Sequence, residues 1–383
     1  MPLYKTTPKP SGRMGLLWSL APVYDTAIIE FGSMGHMIYA KKWMQYTGLT
    51  QHAELITTHL AEKDIALEIT KRLEESVKEV VKKGQAKAVF LLPSSVPEMI
   101  GTDLRAIGEE LQELYPQIPV LTFRAGNFKA SKEQGMEEAF YELVKMMMDK
   151  EELRLTADKE KKESTFNLFG SACDWSRFQS DNREVSRILK GAFSMEEGAV
   201  FGSGSDFDSL KSMIHADISL VTRKEGIKGA KLLEKEFGIP FVYGTPYGLS
   251  GTTDWIHQVE EVLHKEADKS FLEKEQKETQ AVISHCRMWT GYAKDLAKVW
   301  VSGEDELSDG MKRFAKEELG FVLSEGGIHM ADQTELKEKP GKHQIEIRRS
   351  TLSCDINPYD PPFMGFRGAM NVSALWHEYL SRL

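Results

Sequence analysis

The chain alternates short, fully apolar runs with longer amphipathic stretches along most of its length, and few folds accept that pattern. The apolar runs fall at residues 26–30, 88–92, 120–123, 166–169, 199–201, 218–221, 240–242 and 299–301, each bounded by Gly, Pro or Ser. Between them lie helical periodicities, at 65–83, 102–113, 135–148, 184–189 and 227–236. Buried strands separated by helices predict parallel sheets covered on both faces, with right-handed crossovers. At 383 residues the chain is too long for one ordinary core.

Two charged, weakly apolar stretches, 149–164 and 266–279, read as boundaries. They predict a first Rossmann-like domain over 1–160, a second over 161–270 and a third over 271–383. The third contains a strand at 298–301, a helix at 306–318 and a strand at 321–323, and ends in a helix. Its segment 332–342 is charged, carries Pro340-Gly341 and reads as an exposed loop, so this domain looks trimmed. The expected fold class is α/β, with three Rossmann-like domains and parallel sheets around a central cleft.

Composition narrows the function classes. A net charge of −9 argues against nucleic acid as the main partner, because phosphate binding needs clustered Lys and Arg. No apolar run approaches the length of a membrane helix, and the first ten residues have no secretory apolar core, so a cytoplasmic location is expected. Cys173, Cys286 and Cys354 form no Cys-x-x-Cys pair, and the first two read as structural. A P-loop, a nucleophile elbow and a His-Glu-x-x-His motif are all absent from the sequence. Gly202-Ser-Gly-Ser lacks the third glycine of a dinucleotide loop.

Four blocks carry more specific information. The run Ala88-Val-Phe-Leu-Leu-Pro-Ser-Ser-Val-Pro-Glu-Met-Ile-Gly-Thr-Asp-Leu104 reads as buried strand, tight turn and helix start. Ser11-Gly-Arg-Met-Gly15 is followed by Phe31-Gly-Ser-Met-Gly-His36. Phe128-Lys-Ala-Ser-Lys-Glu-Gln-Gly135 follows a strand, and Gly365-Phe-Arg-Gly-Ala369 precedes a helical pattern near the end. In this order and on these elements, the blocks resemble the nitrogenase component-1 superfamily, whose members include MoFe-protein subunits and dark-operative protochlorophyllide reductases.

In that family cysteines ligate an iron–sulfur cluster where this chain has Ser11, His36 and Ser95. The resemblance therefore implies a degenerate cluster site, with any cluster held mainly by a partner subunit and His36 as its ligand from this chain. The residues alone also allow a plainer reading, in which the serines cap the following helix or turn and His36 is a satisfied histidine. Arg223 stands where the family carries a cofactor-binding cysteine. It fits a carboxylate-bearing ligand, or equally a structural salt bridge.

Thr245 and Tyr247 lie in a turn resembling one that lines the family's cavity. Cys354 and Asp355 fall near the position of its cofactor histidine, and Cys354 alternatively fills a core as a small hydrophobe. The expected cleft is thus lined by Arg223, Thr245–Tyr247 and Cys354–Asp355, and is neutral or cationic near Arg223. The function implied is a subunit of a nitrogenase-like reductase that takes electrons from an ATP-dependent Fe-protein, forms a cleft for an anionic substrate or metallocofactor, and pairs with a homologous component-1 subunit as a homo- or heterodimer. A non-enzymatic scaffold, carrier or maturation protein on the same fold is the alternative.

Overall fold

In the computed structural model, the described residues are 9–382 apart from 33–37, 39–40, 43–51, 68, 126–129, 150–163, 171, 340 and 349–359. They form three four-stranded sheets in succession, and every strand pairing is parallel. The first sheet holds β1 (Thr26–Phe31), β2 (Glu54–Thr57), β3 (Ala88–Pro93) and β4 (Val120–Thr122). The second holds β5 (Thr165–Phe169), β6 (Glu196–Phe201), β7 (Ile218–Val221) and β8 (Phe241–Tyr243). The third holds β9 (Lys298–Val301), β10 (Val322–Leu323), β11 (Ile328–Asp332) and β12 (His343–Arg348). Each has its second strand outside its first and its third and fourth on the other side, the orders being β2-β1-β3-β4, β6-β5-β7-β8 and β10-β9-β11-β12. The α/β class and its parallel sheets are as the alternating pattern predicts.

Local chemistry explains the elements. β1 and β3 are buried at every residue, as central parallel strands covered on both faces must be. Helix Lys71–Lys83 buries Leu73, Val77 and Val80 on one stripe and ends at Gly84 in the left-handed region, φ 65°. Helix Leu104–Leu114 begins where the Asp103 carboxylate accepts hydrogen bonds from the Arg105 and Ala106 amides.

Two expectations change. Residues 332–342 are not simply a loop, since Asp332 ends β11 and caps helix Gln333–Glu338 before β12 begins. A six-residue helix on the surface is polar nearly all round, so it has no apolar stripe to announce it. The third unit therefore has a full four-stranded sheet and is not trimmed at its sheet. The helical region at 65–83 is two helices, Glu62–Leu67 and Lys71–Lys83.

The units share cores. One buried cluster joins helix Gly12–Leu20 and β1 to Phe169, Phe201 and Val221 of the second sheet. Another joins Phe166, Leu220 and Tyr247 to Val299, Met330 and the terminal helix Gly365–Ser381. Helix Gly12–Leu20 crosses helix Lys132–Asp149 at backbone contact. A Cβ on Gly15 would lie 1.9 Å from the Lys132 carbonyl oxygen, and one on Gly135 2.0 Å from that of Gly12. The glycines of two sequence blocks thus meet at one crossing and set how closely it packs.

Candidate functional site

In a sheet of this order, the loops after the first and third strands diverge to opposite faces and open a crevice at their carboxyl ends. In the second sheet those loops carry Asp174-Trp175 and Arg223-Lys224-Glu225; in the third they carry Ser302–Asp305 and Asp332–Glu335. Both crevices open on one cavity of about 650 Å³, which the first unit closes with Lys9, Pro10 and residues 131–133. A recess of about 770 Å³ beside Trp300 and Ser302 shares part of its wall. This is the central cleft.

Its wall at Arg223 is a closed ion network. Arg223 Nη1 and Nη2 donate to Asp174 Oδ1 and Oδ2 at 2.9 and 3.2 Å, and Nε donates to Glu225 Oε2 at 2.9 Å. The guanidinium lies 4.8 Å from the Trp175 ring centre, and Lys132 Nζ reaches Asp174 Oδ2 at 2.9 Å. Arg223, Asp174 and Glu225 are all buried. Burial raises the Asp174 pKa, but Arg223 and Lys132 outweigh it and hold the carboxyl well below the usual range. Burial likewise opposes the Arg223 charge, which Asp174 and Glu225 restore. Across the cavity Arg348 pairs with Asp305, and residue 348 bridges to Trp175 through the backbone.

Among the described residues that line the cavity, eight acidic side chains stand against six basic ones. Near Arg223 itself the charges balance, the guanidinium and Lys132 standing against Asp174 and Glu225, while the excess of acidic groups lies elsewhere on the lining. Sequence reading missed the partner, Asp174, and the third-unit wall at Ser302 and Glu335. The Ser-Gly pair that follows the β9 run was the available signal for that wall.

The other residues singled out in the sequence are dispersed. Thr245 and Tyr247 do not line the cavity, because β8 is an edge strand away from the crevice. Tyr247 is buried in the core, its ring in the space a Cβ on Gly310 would occupy. His36, Cys354 and Asp355 lie outside the described residues. Ser11 and Ser95 are described and partly exposed. Ser11 precedes helix Gly12–Leu20 without a side-chain capping bond, pairing instead with Ser131 through the backbone. Ser95 is the first residue of helix Ser95–Met99, whose N-cap, Ser94, makes no side-chain cap either. The capping alternative fails for Ser11. Cys173 donates to the Trp18 carbonyl, and burial pushes the Cys286 thiol up to about 12. Both are buried.

Three sheets of one order around a shared cleft define a class, and comparison supplies its name. Residues 11–348 match the nitrogenase component 1 type oxidoreductase family. The chain belongs to that family. It is 25% identical over 350 residues to the nitrogenase iron-molybdenum cofactor biosynthesis protein NifE of Clostridium pasteurianum, covering 89% of this chain and 72% of that protein. NifE of Bradyrhizobium diazoefficiens is 24% identical over 76% of this chain, which spans about half (53%) of that relative. One of the subunits of the light-independent protochlorophyllide reductase of Adiantum capillus-veneris is 24% identical over 49% of this chain and 37% of its own length. The solved structure of nitrogenase Cp1 at pH 6.5 superposes with a TM-score of 0.74 over 100% of this chain and 94% of that one, at 14% identity, a likeness of fold.

The family resemblance implies an iron–sulfur cluster, and the residues at the positions it assigns to the cluster offer no thiolate to hold one. Clusters are held by thiolates, whose soft sulfur matches iron. Where the resemblance places the family's cluster cysteines, Ser11 and Ser95 offer neutral hydroxyls and His36 an imidazole.

Proposed function

We propose that this chain is a scaffold subunit of the component-1 type, which holds a polar ligand against the polar wall of the three-unit cleft without a metal-binding thiolate at Arg223. The observation that carries the reading is Arg223. Where the family resemblance puts a cofactor-binding cysteine, this chain has a guanidinium spent on Asp174 and Glu225. The likeness to a relative named as a cofactor biosynthesis protein supports it. The partner is a homologous component-1 subunit. Met99 and Ile100, 79% and 50% exposed beside Ser95, are apolar surface suited to that contact.

A second reading, a reductase subunit fed by an ATP-dependent Fe-protein, draws on the likeness to the light-independent protochlorophyllide reductase. In it the partner supplies the thiolates. Anaerobic purification of the chain alone, and with a cysteine-bearing homologue, separates the two. The scaffold reading expects no cluster in the chain alone and no ATP-dependent reduction of the pair by an Fe-protein. Such reduction establishes the reductase reading, and close to four irons on the isolated chain overturns both.

A further inference from the structure

Three polar side chains that the ion network does not use meet at the recess beside Trp300, two of them lining it and the third, His329, buried behind them. Ser302 directly follows β9, His329 lies on β11 and Glu335 on helix Gln333–Glu338. Ser302 and Glu335 line both the recess and the central cavity. His329 is buried, with its ring stacked on Trp300 at 4.1 Å and 1°. His329 Nδ1 is 2.8 Å from the Lys339 carbonyl oxygen, and Nε2 is 3.3 Å from Ser302 Oγ. Ser302 Oγ also lies 2.9 Å from Glu335 Oε1.

Counting protons shows what this arrangement lacks. A carbonyl only accepts, so Nδ1 must carry the hydrogen toward Lys339. Nε2 of the neutral ring is then an acceptor, and so is the Glu335 carboxylate. Between them stands one hydroxyl with one hydrogen, which can satisfy either neighbour but not both. Adding a proton to Nε2 completes the chain: Nε2–H donates to Ser302 Oγ, and Oγ–H donates to Glu335. The resulting imidazolium has a carboxylate oxygen 3.9 Å away.

We propose that Ser302, His329 and Glu335 form a proton-accepting site on the cleft wall, in which His329 stores one proton and Ser302 relays it to whatever binds there. On delivery, Ser302 gives its own proton to an acceptor atom of the ligand and takes the Nε2 proton in return. The ring becomes neutral and the ligand gains one proton, so the balance closes without a further reactant. A ligand presenting a carboxylate or carbonyl oxygen to Ser302 is the matching class. The delivery step rests on the cleft-ligand reading; the storage site does not.

Other charges face the trio. The Lys339 ammonium lies 5.1 Å from the Trp300 ring centre, and Lys9, Glu304 and Lys312 share the recess. Arg348 donates to the Ser302 carbonyl but is held by Asp305. Asp332, at the end of β11, is turned to the amides of Thr334 and Glu335. Glu335 is the carboxylate that the Ser302 hydroxyl links to the ring.

Histidine-selective nitrogen NMR on the full chain tests the site without any ligand or metal, with His329→Gln assigning the signal. At high pH the Nδ1–H tautomer is expected, turning to imidazolium on acidification. In Glu335→Gln, which leaves the Ser302 hydroxyl no carboxylate to donate to, the imidazolium should be less populated than in the parent at the same acidic pH. In Ser302→Ala, exchange of the Nε2 proton with water should slow by about tenfold. An Nε2–H tautomer at high pH, a transition indifferent to Glu335→Gln, or unchanged exchange in Ser302→Ala overturns the proposal. A chain that behaves as expected here yet assembles as a reductase would refute the scaffold reading alone.

Discussion

Arg223 and Asp174 form a two-point ion pair in which both partners are buried and neither faces the open cleft with a spare charge. Lys132 brings the first unit to the same carboxylate, and Trp175, next in sequence to Asp174, pairs its backbone with residue 348 of the third. One acidic residue and its neighbour thus tie all three units together at the cleft. The geometry makes Arg223 a fastening of the cleft wall.

Replacing Arg223 with Ala should therefore act on stability before it acts on binding. It would leave Glu225 buried without its partner and Asp174 with Lys132 alone. Breaking a buried pair from one side typically costs about 3–5 kcal/mol. Denaturant unfolding of Arg223→Ala against the parent checks this. A loss below about 1 kcal/mol, the range of exposed pairs, would mean that the network does not hold the wall.

Asp181 gives the fold a pH dependence of unusual sign. Its Oδ1 accepts the amides of Phe363 and Met364 at 2.6 and 2.9 Å, just ahead of the terminal helix. Burial pushes its pKa up to about 7, against those amides and Arg177, with the Glu184 charge adding to the rise. The unfolded value is near 4. Between roughly pH 4 and about 7 the folded chain therefore binds the extra proton, and stability falls as pH rises through that window. Asp181→Asn keeps the accepting oxygen and cannot ionise. Its unfolding free energy should exceed the parent's at pH 8 and lose this slope, whereas parallel curves would contradict the assignment.

How much of this was legible follows from what each feature depends on. Central strands such as β1 and β3 are apolar on both faces and stand out in a chain. β2, reading Glu-Leu-Ile-Thr with no residue buried, is an edge strand visible only through its pairing with β1. Arg223 follows a central strand and so reaches the cleft wall, while Thr245 and Tyr247 follow an edge strand and fall away from it. The arginine's partner, 49 residues earlier, was invisible: which carboxylate meets a guanidinium is decided by how loops converge. The proton-accepting trio has the same origin, since β9 and β11 bring Trp300 and His329 side by side only once the sheet is built.

The helix crossing at the start of the chain should tolerate no side chain at its contact points. A methyl on Gly135 would meet the Gly12 carbonyl oxygen at 2.0 Å, and backbone cannot rotate aside as a side chain can. Gly135→Ala should cost about 1–3 kcal/mol or more through overpacking, although alanine is the better helix former. The comparison is Gly291→Ala in helix Lys269–Tyr292, where the added methyl meets nothing within 4 Å. That substitution should be neutral or stabilising. Equal effects at the two sites, measured by thermal unfolding, would remove close packing as the reason for glycine at 135.

Tyr247 offers the sharpest test of the buried polar accounting. Its ring is enclosed against Gly310, and its hydroxyl has no hydrogen-bond partner among the described residues. Burial, with Asp181 next in weight, drives its pKa well above the ordinary value and keeps the group neutral. A buried hydroxyl without a partner loses its hydration and gains nothing in return, a cost of roughly 1–3 kcal/mol. Tyr247→Phe removes that cost and keeps the ring, so it should leave the chain equally stable or more so. Tyr247→Ala deletes the ring and should cost about 3–5 kcal/mol, which confirms that the position bears on folding. If the Phe variant instead loses about 1 kcal/mol, the hydroxyl is bonded in solution, and Tyr247 belongs to a polar network reaching toward Asp181.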